Sequence, residues 1–342
     1  MLPWRTPFPR DPYKVLVSEV MAQQTQIDRV VPAFERFVAR FPSVDALAAA
    51  PAEEVLHAFS GLGYYRRARL LHEAVRNLGE RGGWPTTARA LAELPGFGAY
   101  TAAAVAAFAF DGAEPPVDGN VARVVARLEA LPLALGSGQL RRKARAAARA
   151  FHLEAPTPEI WEALMELGAV VCAPASPRCG VCPLAPGCAA RAAGTPSAFP
   201  LPRRQRAREE QLWTAVWLRR GDGNVLLRRV DGGPLLVGLW LPPFAAIASG
   251  AVPALVAAEL ARQAGHEVPL APAAPVGHGI THRDIRVYPF VGEVRAHAAE
   301  PADGWSWQDP AAPAVPTSSL LGKLAAACSP PTLFGPLPES ER

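Results

Sequence analysis

The chain has 342 residues, half of them apolar and 19% charged, with a formal net charge of +4. That length can bury two cores, and the composition is that of a globular protein. No apolar run approaches the roughly 18–20 residues that span a bilayer, and the opening Met1-Leu-Pro-Trp-Arg5 carries no apolar leader. The expectation is a cytoplasmic protein with no membrane association.

From Asp11 to about Cys188 apolar residues recur at helical spacing, as at Val30, Phe34, Phe37 and Val38, with breaks at Phe41-Pro42, Ala50-Pro51 and Trp84-Pro85. This predicts consecutive helices. Thr195–Arg208 contains Pro196, Pro200, Pro202 and the run Arg203-Arg204-Gln205-Arg206-Ala207-Arg208, which predicts an exposed tether. Beyond it, Leu212–Leu218, Val225–Leu227 and Ile285–Val291 read as strands and Leu255–Ala264 as a helix, so the second domain is α+β. Residues 1–200 hold 21 basic and 18 acidic side chains, and 201–210 add four arginines against two glutamates. The positive excess therefore lies in the first part and the tether, which permits nucleic-acid binding without being its signature.

Four of the five cysteines fall in one stretch, Cys172-x6-Cys179-x2-Cys182-x5-Cys188. In a chain of this size without a leader, such crowding points to a metal or cluster before disulfides. Structural zinc favours two tight Cys-x-x-Cys pairs and this run has one, while four thiolates from one loop suit an iron–sulfur cluster equally well. Spacing leaves both open.

Two acids stand apart. Glu19 lies inside Val15-Leu-Val-Ser-Glu-Val-Met21, where burial raises a carboxyl pKa and keeps a proton donor near neutrality. Asp118 lies in Pro116-Val-Asp-Gly-Asn120, just before the helical run Val121–Leu128, where a helix N-terminus favours the ionised form. Such a divergent pair suits cleavage of a glycosidic bond through an oxocarbenium-like state. Leu94-Pro-Gly96-Phe-Gly98 joins the helical runs Thr86–Leu94 and Ala99–Phe110 and can aim backbone N–H groups at a phosphate. Gly61-Leu-Gly63-Tyr64-Tyr65-Arg66-Arg67 sets aromatics beside cations after a second turn, as extrusion of a base requires. Taken singly, each has an ordinary structural explanation: an N-cap, a partnered helix acid, a helix–helix turn, a core aromatic.

Taken in order, Ser18-Glu19-Val-Met-Ala-Gln23-Gln24-Thr25-Gln26, Gly61–Tyr65, Leu94–Gly98, Val117-Asp-Gly-Asn-Val121 and the Cys172–Cys188 loop closely resemble the MutY adenine DNA glycosylases of the endonuclease III superfamily. The resemblance is strong over residues 2–195 and fainter over 211–342, where Gly238-Leu-Trp-Leu-Pro-Pro243 is similar to the family's Nudix-like domain. It implies a helix-hairpin-helix glycosylase domain (1–112), an all-α cluster domain with a [4Fe–4S] loop (113–194), a Pro/Arg-rich linker (195–210) and an α+β Nudix-like 8-oxoguanine recognition domain (211–342). The implied protein is a monomer at the bacterial nucleoid. It acts on double-stranded DNA with adenine opposite 8-oxoguanine or guanine.

Site residues follow position by position. Glu19 matches the general acid that protonates adenine N7 and later activates water, and Asp118 the carboxylate that stabilises, or transiently bonds, the deoxyribosyl cation. Asn120 and Tyr100 match groups that orient these carboxyls, and Trp4 and Arg5 the lining of the adenine pocket. Gln23, Gln24 and Tyr64 match residues that probe and wedge the opposite base. Gly96, Gly98 and Arg178 match contacts to the DNA backbone, and Cys172, Cys179, Cys182 and Cys188 the cluster ligands. Endonuclease III-type lyases place a nucleophilic lysine where Tyr100 stands, and no lysine lies between Lys14 and Lys143, so a monofunctional glycosylase is expected. A glycosylase/lyase on oxidised pyrimidines and a non-catalytic iron–sulfur DNA-binding protein are the alternatives. Two departures stand out. The family carries a helix ahead of Leu-Pro-Trp-Arg, so either the true start lies upstream of Met1 or the cluster domain is less well covered. The family's Phe-Ser-His reader is matched by Ile280-Thr281-His282, which predicts weaker 8-oxoguanine discrimination. Ala257-Ala-Glu259-Leu-Ala-Arg-Gln-Ala264 has a single glutamate, too few for the Mg²⁺ site of an active Nudix hydrolase.

Overall fold

The computed structural model describes residues 2–203, 207–248, 250–295 and 301–329; Arg204, Gln205 and Arg206 of the predicted tether lie outside the described residues. Two compact units emerge: Met1–Ala50 with Arg66–Gln205, and Pro51–Tyr65 with Arg206–Arg342. Among the described residues no helix is long and apolar enough to cross a membrane.

The first unit is helical, with α1 (Pro12–Ala22), α2 (Ile27–Arg40) and α3 (Val44–Ala49) before the break. After α4 (Ala52–Ala58), which belongs to the second unit, come α5 (Arg66–Arg81), α6 (Ala88–Leu91), α7 (Ala99–Phe110), α8 (Gly119–Leu128), α9 (Gly138–Glu154), α10 (Glu159–Glu166) and α11 (Ala189–Ala192). The centre is α7, buried continuously from Thr101 to Ala109. A helix apolar on every side has no face to offer water, and its five consecutive small or β-branched positions from Ala102 to Ala106 let α1 approach closely. Short polar side chains start the helices: Asp11, Ser43, Thr87, Asp118 and Ser137 each accept a hydrogen bond from a first-turn N–H. The sequence predicts a helix over Thr86–Leu94, whereas only Ala88–Leu91 is helical, because Pro95 and Gly96 pull the chain away.

The predicted tether is not loose over its first half. Pro196–Ala198 forms a 3-10 turn, Leu201 bridges to Ala134, and the Phe199 carbonyl accepts a 2.9 Å bond from Arg127 Nε.

In the second unit a mixed sheet has the order β3-β2-β1-β7-β5. The strands are β1 (Glu209–Arg220), β2 (Val225–Arg229), β3 (Trp240–Leu241), β4 (Phe244–Ala246), β5 (Ala271–Pro272), β6 (Val276–Ile280), β7 (Arg283–Val294) and β8 (Trp305–Gln308). The long β1 and β7 pair in parallel from Glu209↔Arg283 to Arg220↔Val294. Because β1 is central, both its faces are buried: Trp213, Ala215 and Trp217 pack under α13 (Ser319–Cys328), while Val216 and Leu218 pack with α12 (Pro253–Gln263). Its run of apolar residues without polar alternation follows from that position.

Gly96 has φ +75°, and a Cβ there would lie 2.6 Å from Leu70 Cβ on α5. Both the backbone region and the space exclude a side chain. Gly96→Ala is expected to destabilise the protein by about 1–3 kcal/mol, read as a lowered urea midpoint; an unchanged midpoint would count against the clash.

Candidate active site

Glu19 sits on α1, whose neighbours Val15, Leu16, Val17, Val20 and Met21 are buried against the bundle. The helix therefore carries a carboxyl into a largely dehydrated place, and Glu19 itself is only partly exposed. Tyr100, in the first turn of α7, donates its hydroxyl to Glu19 Oε2 at 2.7 Å. Burial pushes the Glu19 pKa up to about 7; the Tyr100 hydrogen bond and Arg5 pull it down, and the charges of Asp118 and Glu162 push it further up. Burial and the neighbouring Glu19 carboxylate raise Tyr100 well above an ordinary phenol, so it remains a donor.

Asp118 caps α8. Its Oδ1 accepts from the Val121 N–H at 2.7 Å and its Oδ2 from Asn120 Nδ2 at 2.7 Å. The helix-terminal bonds expected to favour the carboxylate are present and do pull its pKa down. Burial nevertheless outweighs them, and the net direction is upward. Glu19, Tyr100, Asp118 and Asn120 thus converge in one unit as two carboxyls, each held by one neutral donor side chain.

Behind Asn120 lies a pair of buried arginines that the sequence reading missed. Arg123 Nη2 donates to Asn120 Oδ1 and to the Gly168 carbonyl, both at 2.8 Å, and its Nε donates to the Cys172 carbonyl at 2.8 Å. Arg127 binds the carbonyls of Cys172, Ala173 and Pro174 and faces Cys172 Sγ at 3.3 Å. Gly168 is a further missed residue: a Cβ there would fall 2.6 Å from Asn120 Cβ. The sequence signal available was the i, i+4 spacing of two arginines on an otherwise apolar helix.

The four cysteines are partly buried and none forms a disulfide. Cys179–Val181 and Ala185–Gly187 are 3-10 turns that fold the loop back on itself, and Cys188 Sγ lies 3.4 Å from the Arg127 carbonyl. Four cysteine sulfurs on one folded-back loop, one of them 3.3 Å from the Arg127 guanidinium, are the donor chemistry of a thiolate-ligated group. Among the described residues no three His, Cys, Asp or Glu side chains are placed to share one metal ion.

The other expected residues have these surroundings. Trp4 packs edge-on to Phe34 at 5.1 Å. Arg5 pairs with Glu166 and, at 3.4 Å, with Glu162. Gln23 Nε2 donates to Thr101 Oγ1 at 3.2 Å, and Gln24 is exposed with φ +55°. Arg67, read from sequence as a phosphate-facing cation, instead caps the end of α1, donating to the carbonyls of Val20, Met21 and Gln23 and to Thr25 Oγ1. It thereby holds the turn that carries Gln23 and Gln24. Gly96 and Gly98 are exposed at the hairpin, and only Gly96 needs the left-handed region. Arg178 is exposed, with its guanidinium donating to the Val170 carbonyl at 2.6 and 3.1 Å, so it braces its own loop.

Three expected residues belong to the second unit. Tyr64 is 45% exposed with φ +50°. Thr281 and His282 form the two-residue connection between β6 and β7; Thr281 has φ +55°, and its hydroxyl lies 3.3 Å from His282 Nδ1. A β-branched residue in the left-handed region is strained.

A pair of carboxyls with separate donors lies on a helical unit with a glycine hairpin, and residues 17–149 match the model of the HhH-GPD superfamily base excision DNA repair protein. The adenine DNA glycosylase of Mycobacterium tuberculosis (strain CDC 1551 / Oshkosh) is 44% identical over 209 residues, 60% of this chain and 68% of that protein. The adenine DNA glycosylase of Mycolicibacterium smegmatis is 43% identical over 198 residues, 57% of this chain and 66% of that one. The chain belongs to the adenine DNA glycosylase (MutY) family, and the match spans about two thirds of these relatives' length. Among solved structures, a thermostable thymine-DNA glycosylase superposes with a TM-score of 0.49 and 27% identity, covering 55% of this chain and 87% of that one.

The raised Glu19 pKa has a consequence for stability. A carboxyl that titrates near 4.5 unfolded and about 7 folded stabilises the fold below pH 4.5 and loses that contribution as pH rises through 7. Glu19→Gln removes the titration, so at pH 8 it is expected to be more stable than the wild type by about 2–3 kcal/mol. The advantage should vanish by pH 4.5 in urea unfolding; a variant less stable at pH 8 would show that Glu19 is not held against a burial cost.

Proposed function

We propose that this protein is a monofunctional adenine DNA glycosylase of base excision repair, which hydrolyses the N-glycosidic bond of adenine opposite 8-oxoguanine or guanine. The observation that carries the reading is the pair of buried carboxyls with separate donors, Glu19 with Tyr100 and Asp118 with Asn120. Glu19, its pKa raised by burial to about 7, keeps a substantial protonated fraction near neutral pH and delivers that proton to adenine N7. The C1′–N9 bond breaks with its electron pair leaving on the protonated adenine, and Asp118 steadies the resulting sugar cation. Water then attacks C1′ and gives its proton to the Glu19 carboxylate. Adenine must leave the base stack first, and the exposed Tyr64 with the Gln23–Gln24 turn suits that task. Where lyases carry an amine, Tyr100 is occupied as the donor to Glu19 and offers none.

The Cys172–Cys188 loop is the proposed holder of a [4Fe–4S] cluster, four thiolates for four irons. The cluster supplies a structural lock for the loop and no step of the reaction. The second unit is the proposed Nudix-like reader of 8-oxoguanine, working through Thr281 and His282. It is not a hydrolase, since Glu259 is the one carboxylate of α12 and is paired with Arg262. The partner is double-stranded DNA, bound by a monomer in the bacterial cytoplasm at the nucleoid.

Single-turnover adenine release, assayed with and without alkali on duplexes with adenine opposite 8-oxoguanine, guanine or thymine, tests the reading. Alkali-dependent cleavage on the two purine mispairs is expected, with a rate that falls as pH rises through about 7. Tyr100→Phe removes a bond that lowers the Glu19 pKa, so its alkaline fall-off should move to higher pH; efficient strand cutting without alkali would refute the mechanism. For the loop, iron and acid-labile sulfide should copurify in equal amounts and be lost in Cys182→Ser, whereas stoichiometric zinc would exclude the cluster.

A further inference from the structure

Tyr64 pairs two costly features: a large ring left 45% exposed and a left-handed backbone with φ +50°. Gly61 (φ +88°) and Gly63 (φ +70°) share that backbone region, so three of four consecutive residues form a turn with no hydrogen-bonded helix or strand to hold it. The turn is also tied at its ends. Leu62 is buried. Tyr65 donates its hydroxyl to the Thr317 carbonyl at 2.6 Å. The Tyr65 phenol thus joins the end of the turn to Thr317.

The receiving end is rigid. Pro316, next in the chain, accepts a 2.8 Å bond from the Trp240 N–H, and Ser318 caps α13 through the Leu320 N–H. Trp240 is buried in the sheet core, and its indole N–H donates to Glu53 in the first turn of α4. Glu53 and Tyr65 therefore fasten the two ends of the Pro51–Tyr65 segment to the sheet unit, in keeping with its membership of that unit.

We propose that Tyr65 and Glu53 are positioning residues that clamp the Gly61–Tyr64 turn onto Thr317 and Trp240, and that this clamp lets Tyr64 act as a wedge in the base stack. The inference rests on the glycosylase reading and deepens it: base extrusion depends on the sheet unit even where no contact to 8-oxoguanine is involved. A wedge on a loose turn would spend its contact energy on ordering itself, whereas a clamped one delivers it to unstacking.

The test uses the full chain on two substrates, a duplex with adenine opposite 8-oxoguanine and one with adenine in a single-nucleotide bulge, each with 2-aminopurine beside the target. Tyr65→Phe and Glu53→Ala should slow both adenine release and the 2-aminopurine fluorescence rise about tenfold on the duplex, yet less than about twofold on the bulge, where little stacking remains to be broken. Glu53→Gln keeps an oxygen acceptor and should restore the duplex rate. Equal slowing on both substrates would reduce the clamp to a general structural role, and duplex rates unchanged in Tyr65→Phe would remove it. If the wild type releases adenine from neither substrate, the glycosylase reading itself falls.

Discussion

Two guanidinium groups on one helix cannot be buried without partners, and α8 buries both Arg123 and Arg127. Their partners are backbone carbonyls of Gly168, Cys172, Ala173, Pro174 and Phe199, all 45 or more residues further along the chain. Satisfying them draws the cysteine loop, the turn before it and the start of the tether onto the helix that Asp118 caps. The same Arg123 also holds Asn120, the donor to Asp118. The Asp118 carboxylate and the cysteine loop are thus parts of one charge-satisfaction network, and Gly168 leaves the room that network needs.

Within that frame the two acids differ in kind. Glu19 has a single neutral donor in a dry environment, which leaves it a proton carrier near neutrality. Asp118 accepts from a backbone N–H and an amide at a helix terminus, a setting that offsets part of its burial. A helix-capping geometry that is ordinary elsewhere here brings a second carboxyl close enough for its charge to raise the Glu19 pKa. Among the described residues the left-handed non-glycine positions, Gln24, Tyr64, Asp111, Ala130, Leu236 and Thr281, do not include Glu19, Tyr100, Asp118 or Asn120.

Much of this was legible in order and spacing. The run of helices, the capping role of Asp118, the glycine hairpin and the long strands β1 and β7 follow from local pattern, since each depends on neighbours within a few residues. The prolines and arginines of the tether report its exposure, but they carry no record of the groups more than 60 residues away that hold Phe199 and Leu201. A basic side chain in sequence likewise carries no record of which carbonyls lie within its reach, as those that Arg67 and Arg178 bind show. The short strands β3, β4, β5 and β8 have too few residues to show a period.

Sequence alone determined which chemistry is present: two acids, their amide and phenol neighbours, four cysteines, and a tyrosine in place of an amine. These are covalent facts, and their order along the chain is enough to assign the family. Tertiary structure alone decided the rest. Whether Glu19 titrates near 4.5 or near 7 depends on how much water the bundle removes from it. That Pro51–Tyr65, flanked by helices of the first unit, joins the sheet unit instead depends on contacts of Glu53 and Tyr65 with residues nearly 200 or more positions away. Desolvation and long-range pairing are properties of the packed chain, and no local pattern of residues encodes them.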